Sequence, residues 1–288
     1  MTARRRVLAP GAALVLAVGG VLAVIVLAAC SGAATTTLCH SQSVAVHGGA
    51  YTIMNNEWHS AAAQCISTDG SASFTVVNSS IASRHGTPGG YPFIYKGCHW
   101  GACTPDSGLP IQVARIQPGT VITSWHTTQP GGSNVYNVAY DIWFNQAPAT
   151  TGQPDGAELM IWLNHHGHVK PAGSLVASNV SIGGHDYQVW LRRSRWNTIT
   201  YTMTTGTTLV RHLDVQALVA DAVSRGYIGS SWYLIAVEAG FELWHGGAGL
   251  ATNSFSVNVA GGSSPYPSPA AGVRDGTAAL AERRNRGA

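Results

Sequence analysis

The chain predicts an all-β domain, and three observations carry that reading. Runs of β-branched and aromatic residues recur along it: Phe74-Thr-Val-Val-Asn78, Ile111-Gln-Val-Ala114, Val138-Ala-Tyr-Asp-Ile-Trp-Phe144, Tyr187-Gln-Val-Trp-Leu191, Thr198-Ile-Thr-Tyr-Thr202 and Phe255-Ser-Val-Asn-Val259. Many alternate apolar with polar, as strands with one buried face do, and Gly, Pro, Asn and Ser turns separate them. The third observation is a lone exception. Over Leu213 to Arg225, Val215, Leu218, Val219 and Ala222 recur at helical spacing, with Asp214 placed to cap the start and Gly226 to end the turn. About 220 residues between two atypical ends suit one large β domain, and no internal repeat is evident.

The amino-terminal end sets the compartment. Arg4, Arg5 and Arg6 precede a wholly apolar or glycine run over residues 11–29, closed by Leu27-Ala-Ala-Cys30. A charged region followed by an apolar region is a secretory signal. The length also approaches the roughly 20 residues that span a bilayer. Leu-Ala-Ala-Cys is similar to a bacterial lipobox, in which the cysteine becomes the lipidated first residue, so the expectation is a lipoprotein signal over 1–30, with a spanning anchor or plain secretion as alternatives. Five cysteines leave one over for pairing; assigning Cys30 to lipid leaves four, which admit three connectivities. Residues 31–37 read as a short tether, and residues 261–288, rich in Gly, Ser, Pro and Arg, as a disordered tail.

Charge excludes one class of partner. Between residues 38 and 260 stand 9 Lys and Arg against 11 Asp and Glu, a formal net of −2. A nucleic-acid binder shows a clustered basic face, and the Arg192-Arg193-Ser-Arg195 run reads as a solvated turn.

The chemistry is concentrated in two glutamates. Only Glu57, Glu158, Glu238 and Glu242 fall inside the expected domain, and two of them sit in apolar, aromatic runs: Glu158-Leu-Met160-Ile-Trp162 and Phe241-Glu242-Leu-Trp244. Alternation along a strand gives Glu158, Met160 and Trp162 one shared face, and Glu242 and Trp244 another. Carboxyls beside indole rings suit a cleft that stacks sugar rings and cleaves between them, because glycoside hydrolysis needs one carboxyl as acid and a second as nucleophile or base.

Five stretches in order then carry a family resemblance: Asn55-Asn56-Glu57-Trp58, Gly97-Cys98-His99-Trp100-Gly101-Ala102-Cys103, Asn137-Val-Ala-Tyr140-Asp141-Ile-Trp143, Glu158-Leu-Met160-Ile-Trp162 and Gly240-Phe-Glu242-Leu-Trp244. Over residues 38–260 the chain resembles a glycoside hydrolase family 12 endoglucanase. The resemblance implies a β-jelly-roll sandwich of two curved antiparallel sheets with one α-helix and a substrate groove on the concave face, and hydrolysis with net retention. It assigns Glu158 as nucleophile, Glu242 as acid/base and Asp141 as the aspartate that hydrogen-bonds the nucleophile. It places Asn56, Trp58, Asn137, Met160 and Trp162 along the groove, and pairs Cys39 with Cys65 and Cys98 with Cys103. Two positions depart from the family pattern: Glu238 stands where Gln is commoner, and Leu243 where Pro commonly follows the acid/base. Glu238 shares strand parity with Glu242 and is either a second groove acid acting on it or its rival.

The implied protein is a monomeric endo-β-1,4-glucanase, extracellular or held on the cell envelope by lipid, with a β-glucan substrate and neither cofactor nor metal. Cellulose derivatives, mixed-linkage glucan and xyloglucan all fit as substrate. A non-catalytic glucan-binding jelly roll and a transglycosylase are the alternatives; a lectin has no need of Glu158, Asp141 and Glu242 together. His165-His166-Gly-His168 directly follows the Glu158 strand and reads as a turn rather than a metal site. Trp125, Trp143, Trp100 and Trp244 are left undecided between core and groove, and no Gly-x-Ser-x-Gly elbow or phosphate-cradling loop appears.

Overall fold

The computed structural model describes residues 34–83, 86–261 and 273–274. Cys30, the signal region and the start of the tether lie outside the described residues. Two sheets form the domain. The smaller has six strands, in spatial order Thr36–Cys39, Gln64–Thr68, Phe74–Ser79, Ala251–Val259, Val121–Thr128 and Leu209–Asp214. The larger runs Ser174–Ile182, His185–Arg193, Asn197–Met203, Ala157–His166, Val135–Asn145, Tyr233–Gly240, Phe93–His99, Tyr51–Met54, Ser43–Val46 and Val273–Arg274.

The alternation that predicts these strands also explains why they stack. Along Val135–Asn145, residues Tyr136, Val138, Tyr140, Ile142 and Phe144 join the core between the sheets, and Leu159, Ile161 and Leu163 do so from Ala157–His166. Leu38, Ile66, Phe74, Val76, Val121, Trp125 and Phe255 meet them from the smaller sheet. Trp125 is thereby a core residue, fully buried, with its indole N–H donating to Thr252 Oγ1 at 3.1 Å. The opposite face of the same two central strands carries Asn137, Ala139, Asp141, Trp143, Glu158, Met160 and Trp162, so both faces of the sheet are lined and the runs are apolar almost throughout.

The helix forms at Val215–Ser224, with the Asp214 side chain accepting from Gln216 N at 3.0 Å and Gly226 in the left-handed region at φ +71°. Val215, Leu218, Val219 and Ala222 are its buried stripe, as their spacing predicts. Both disulfides form between directly opposed residues: Cys39–Cys65 ties two strands of the smaller sheet, and Cys98–Cys103 closes a hairpin beside the larger one. The pairing matches the resemblance.

Two boundaries differ from the expectation. The first strand begins at Thr36, inside the segment read as tether, because Thr36 and Thr37 find partners in Thr68 and Ser67. In the tail read as disordered, Val273 and Arg274 pair with Val44 and Ser43, whose strand offers a free edge to a further one.

Candidate active site

Register across the larger sheet builds the site. Met160, Asp141, Glu238 and Tyr95 are successive cross-strand partners and form one row; Glu158 lies in the adjacent row, between Trp143 and Thr198. A third row contains Trp162, Ala139, Gly240 and Phe93. Beyond it, Glu242 follows the end of its strand beside Asn137. The two glutamates therefore stand on opposite sides of a floor made by Met160, Asp141, Glu238 and Trp162. Glycine at 240 is required there, since a Cβ would collide with the Pro92 carbonyl and the Phe93 side chain.

Glu158 and Glu242 line one open cleft with Trp58, Met160, Trp162, Thr198 and Trp244. Each carboxyl is buried and held. Glu158 Oε2 accepts from Thr198 Oγ1 at 3.1 Å and from the Trp196 indole N–H at 3.4 Å. Asn137 Nδ2 donates to Glu242 Oε2 at 2.5 Å, and Asn137 Oδ1 accepts from Glu242 N at 3.0 Å. Asp141 is buried at the floor, diagonal to Glu158 across the strand pair.

The sugar-facing positions are equally distinct. Asn56 sits at φ +41°, 1% exposed, with neither end of its side-chain amide hydrogen-bonded to a protein atom among the described residues. A buried polar group of that kind is costly unless water or a ligand satisfies it. The indole N–H of Trp162 is likewise without a protein acceptor, and its ring meets Trp244 edge-on at 6.4 Å. Trp244 is fixed by its N–H to the Gly86 carbonyl at 2.9 Å. Trp143 lies on the groove side, but Trp100 and Trp196 pack against it at 5.0 and 6.0 Å, making a support behind Glu158 rather than a stacking surface.

Several participants carry no signal that sequence reading picked up. Trp196 and Thr198 reach Glu158 because Asn197–Met203 pairs parallel with Ala157–His166, an arrangement no hairpin turn announces. Tyr91 stacks on Phe93 at 5.0 Å and donates to the Ala139 carbonyl at 3.4 Å. Burial, then the charges of Asp141, Glu238, Glu242 and Glu158, push its pKa well above the ordinary 10, so it stays a phenol. Arg192, read as part of a solvated turn, belongs to the strand His185–Arg193 and lines the cleft with Glu158, because Arg192 pairs with Thr198, which pairs with Glu158. His166 is tied to the Asn134 carbonyl at 2.6 Å and stacks on Tyr136. Glu57 accepts from His40 N and Gln64 N and serves the fold.

Opposed carboxyls over an aromatic floor on a jelly-roll sandwich define a glycosidase. The family model described as glycosyl hydrolase family 12 matches residues 49–260. A metagenome-derived family 12 endoglucanase is 44% identical, with 79% of this chain and 99% of that one covered and a TM-score of 0.75. Endoglucanase cel12A from Rhodothermus marinus is 45% identical over 77% of this chain and 98% of its own, with a TM-score of 0.74. The probable cellulase Cel12b of Mycobacterium tuberculosis is 34% identical over 53% of this chain and 98% of its own length. The chain belongs to glycosyl hydrolase family 12 and has endo-β-1,4-glucanase activity on β-glucan. Its two disulfides suit the oxidising, extracellular setting of such an enzyme.

Proposed function

We propose that this endoglucanase cleaves with retention, Glu158 attacking the anomeric carbon and Glu242 protonating the departing glycosidic oxygen. In the second step Glu242 takes a proton from water, the water oxygen bonds to the anomeric carbon, and the ester to Glu158 breaks. The observation that supports this division is the way each glutamate is gripped: Glu158 by side-chain donors from the neighbouring strand, Glu242 by an asparagine that fixes both its backbone and its carboxyl. Asp141, diagonal to Glu158, orients the nucleophile. Asn56, Trp58, Met160 and Trp162 bind the sugar rings, with the unsatisfied Asn56 amide and Trp162 N–H supplying hydrogen bonds to hydroxyls.

The catalytic unit of this reading is residues 36–260, acting as a monomer without cofactor. Cys30, after Leu27-Ala-Ala, carries lipid that holds the enzyme at the cell envelope. The experiment is the anomeric composition of the first product, followed by proton NMR during hydrolysis of a soluble β-1,4-glucan oligosaccharide. Retention requires the β-anomer to appear first; an α-anomer first contradicts the proposal. In parallel, Glu158→Gln abolishes turnover while leaving oligosaccharide binding, because an amide keeps the shape but forms no glycosyl ester.

A further inference from the structure

We propose that Glu238 and His99 form a buried couple that controls the charge on the groove floor, and thereby sets how far into the alkaline range Glu242 holds its proton. The inference rests on Glu242 being the acid/base. His99 Nδ1 and Glu238 Oε1 are 2.8 Å apart, and the two side chains are 3% and 1% exposed. His99 is wedged among Trp100, Phe93 and Tyr95, with ring centroids at 4.2, 4.9 and 5.7 Å. The adjacent Cys98–Cys103 disulfide anchors its backbone.

The location gives the couple its role. Glu238 is the direct cross-strand partner of Asp141 on one side and of Tyr95 on the other, and such partners have Cβ atoms about 4.5–5.5 Å apart. Asp141, Tyr95 and His99 are among the groups beside it, and the Tyr91 phenol senses the charges of Asp141, Glu238, Glu242 and Glu158 together. A second floor carboxylate is therefore a like charge to the acid/base, and a like charge makes a carboxylic acid keep its proton to higher pH. His99 Nε2 is buried and has no hydrogen-bond partner among the described residues. A bare lone pair there is cheaper than an unsatisfied N–H, which assigns the ring proton to Nδ1, donated to Glu238. That donor holds Oε1 and favours the carboxylate form of Glu238. Glu238 thus acts on the reaction through its charge.

The test is the pH dependence of kcat/KM for wild type, Glu238→Gln, His99→Phe, His99→Asn and the double variant Glu238→Gln/His99→Phe, with thermal melts confirming each fold. Glu238→Gln moves the basic limb to lower pH, so that kcat/KM on the alkaline side falls about three- to tenfold relative to wild type, the scale of one like charge acting from four residues along the chain in a medium of effective dielectric near 20. His99→Phe moves it the same way, because an unsupported buried carboxyl takes up a proton. The double variant moves no further. His99→Asn, whose amide N–H stands near the place of Nδ1, restores the wild-type limb, a result that packing alone would not give. If His99→Phe does not fold, Glu238→Gln and His99→Asn decide the matter. A Glu238→Gln profile that superimposes on wild type, or a His99→Asn profile shifted like Glu238→Gln, overturns the proposal. Glu242→Ala assayed with an activated aryl glycoside and azide separates the two readings: rescue there upholds the acid/base, so an unmoved Glu238→Gln limb counts against the couple alone.

Discussion

Asn137 and Glu242 are joined by three hydrogen bonds: side chain to side chain at 2.5 Å, Glu242 N to Asn137 Oδ1 at 3.0 Å, and Asn137 N to the Glu242 carbonyl at 3.1 Å. The asparagine fixes where the carboxyl points and supplies a donor to it. Asn137→Ala removes a hydrogen bond to a charged or proton-exchanging group, worth about 1.5–3 kcal/mol. The expected outcome is a roughly 10- to 100-fold fall in kcat with KM changed much less, measured on a soluble β-1,4-glucan. A kcat within twofold of wild type would contradict the positioning role.

Thr198 and Trp196 give a graded test at the other glutamate. The Thr198 bond to Glu158 is shorter, 3.1 Å against 3.4 Å, and a short, charge-assisted bond contributes more. Thr198→Val lowers kcat/KM about tenfold or more, and Trp196→Phe, which keeps the ring packed on Trp143, lowers it less. Steady-state kinetics that reverse this order would show that Oε2 is held chiefly by the indole.

Much of this was legible in the residues because strand parity is a strong constraint. Glu158, Met160 and Trp162 had to share a face, and Val215, Leu218, Val219 and Ala222 had to share a stripe, whatever packed against them. What lay beyond reach was pairing. The parallel register of Glu158 with Thr198 joins segments 40 residues apart, and the His99–Glu238 contact joins segments 139 residues apart. The tryptophans show the same limit: Trp125 and Trp143 look alike in sequence, yet one fills the core and the other braces the nucleophile strand.

Buried tyrosines predict the alkaline limit of the fold. Burial raises Tyr136 from its usual 10 to about 12 and raises Tyr91, Tyr140, Tyr187 and Tyr201 as well. A phenol raised in the folded state favours folding fully below its unfolded value and progressively less as pH climbs through the folded one. Tm should stay level with respect to these groups up to about pH 10 and fall steeply between about 10 and 12. Calorimetric scans across that range check it, and Tyr136→Phe should make the fall shallower.

Lipidation of Cys30 is tested by fractionation. Acyl chains anchor by burying methylene groups in the bilayer, so wild-type protein sediments with membranes, and Cys30→Ser is either released or left unprocessed. Wild-type protein found wholly in the medium, with a mature start beyond Cys30, would rule the anchor out.

The most direct test of the central claim traps the intermediate. A 2-deoxy-2-fluoro cellobiosyl donor with a good leaving group slows breakdown of the glycosyl ester, and peptide mass spectrometry of the trapped enzyme then locates the sugar. Retention with Glu158 as nucleophile predicts one added disaccharide, on the peptide containing Glu158. A label on Glu238 or Glu242 would contradict the assignment of roles on this groove.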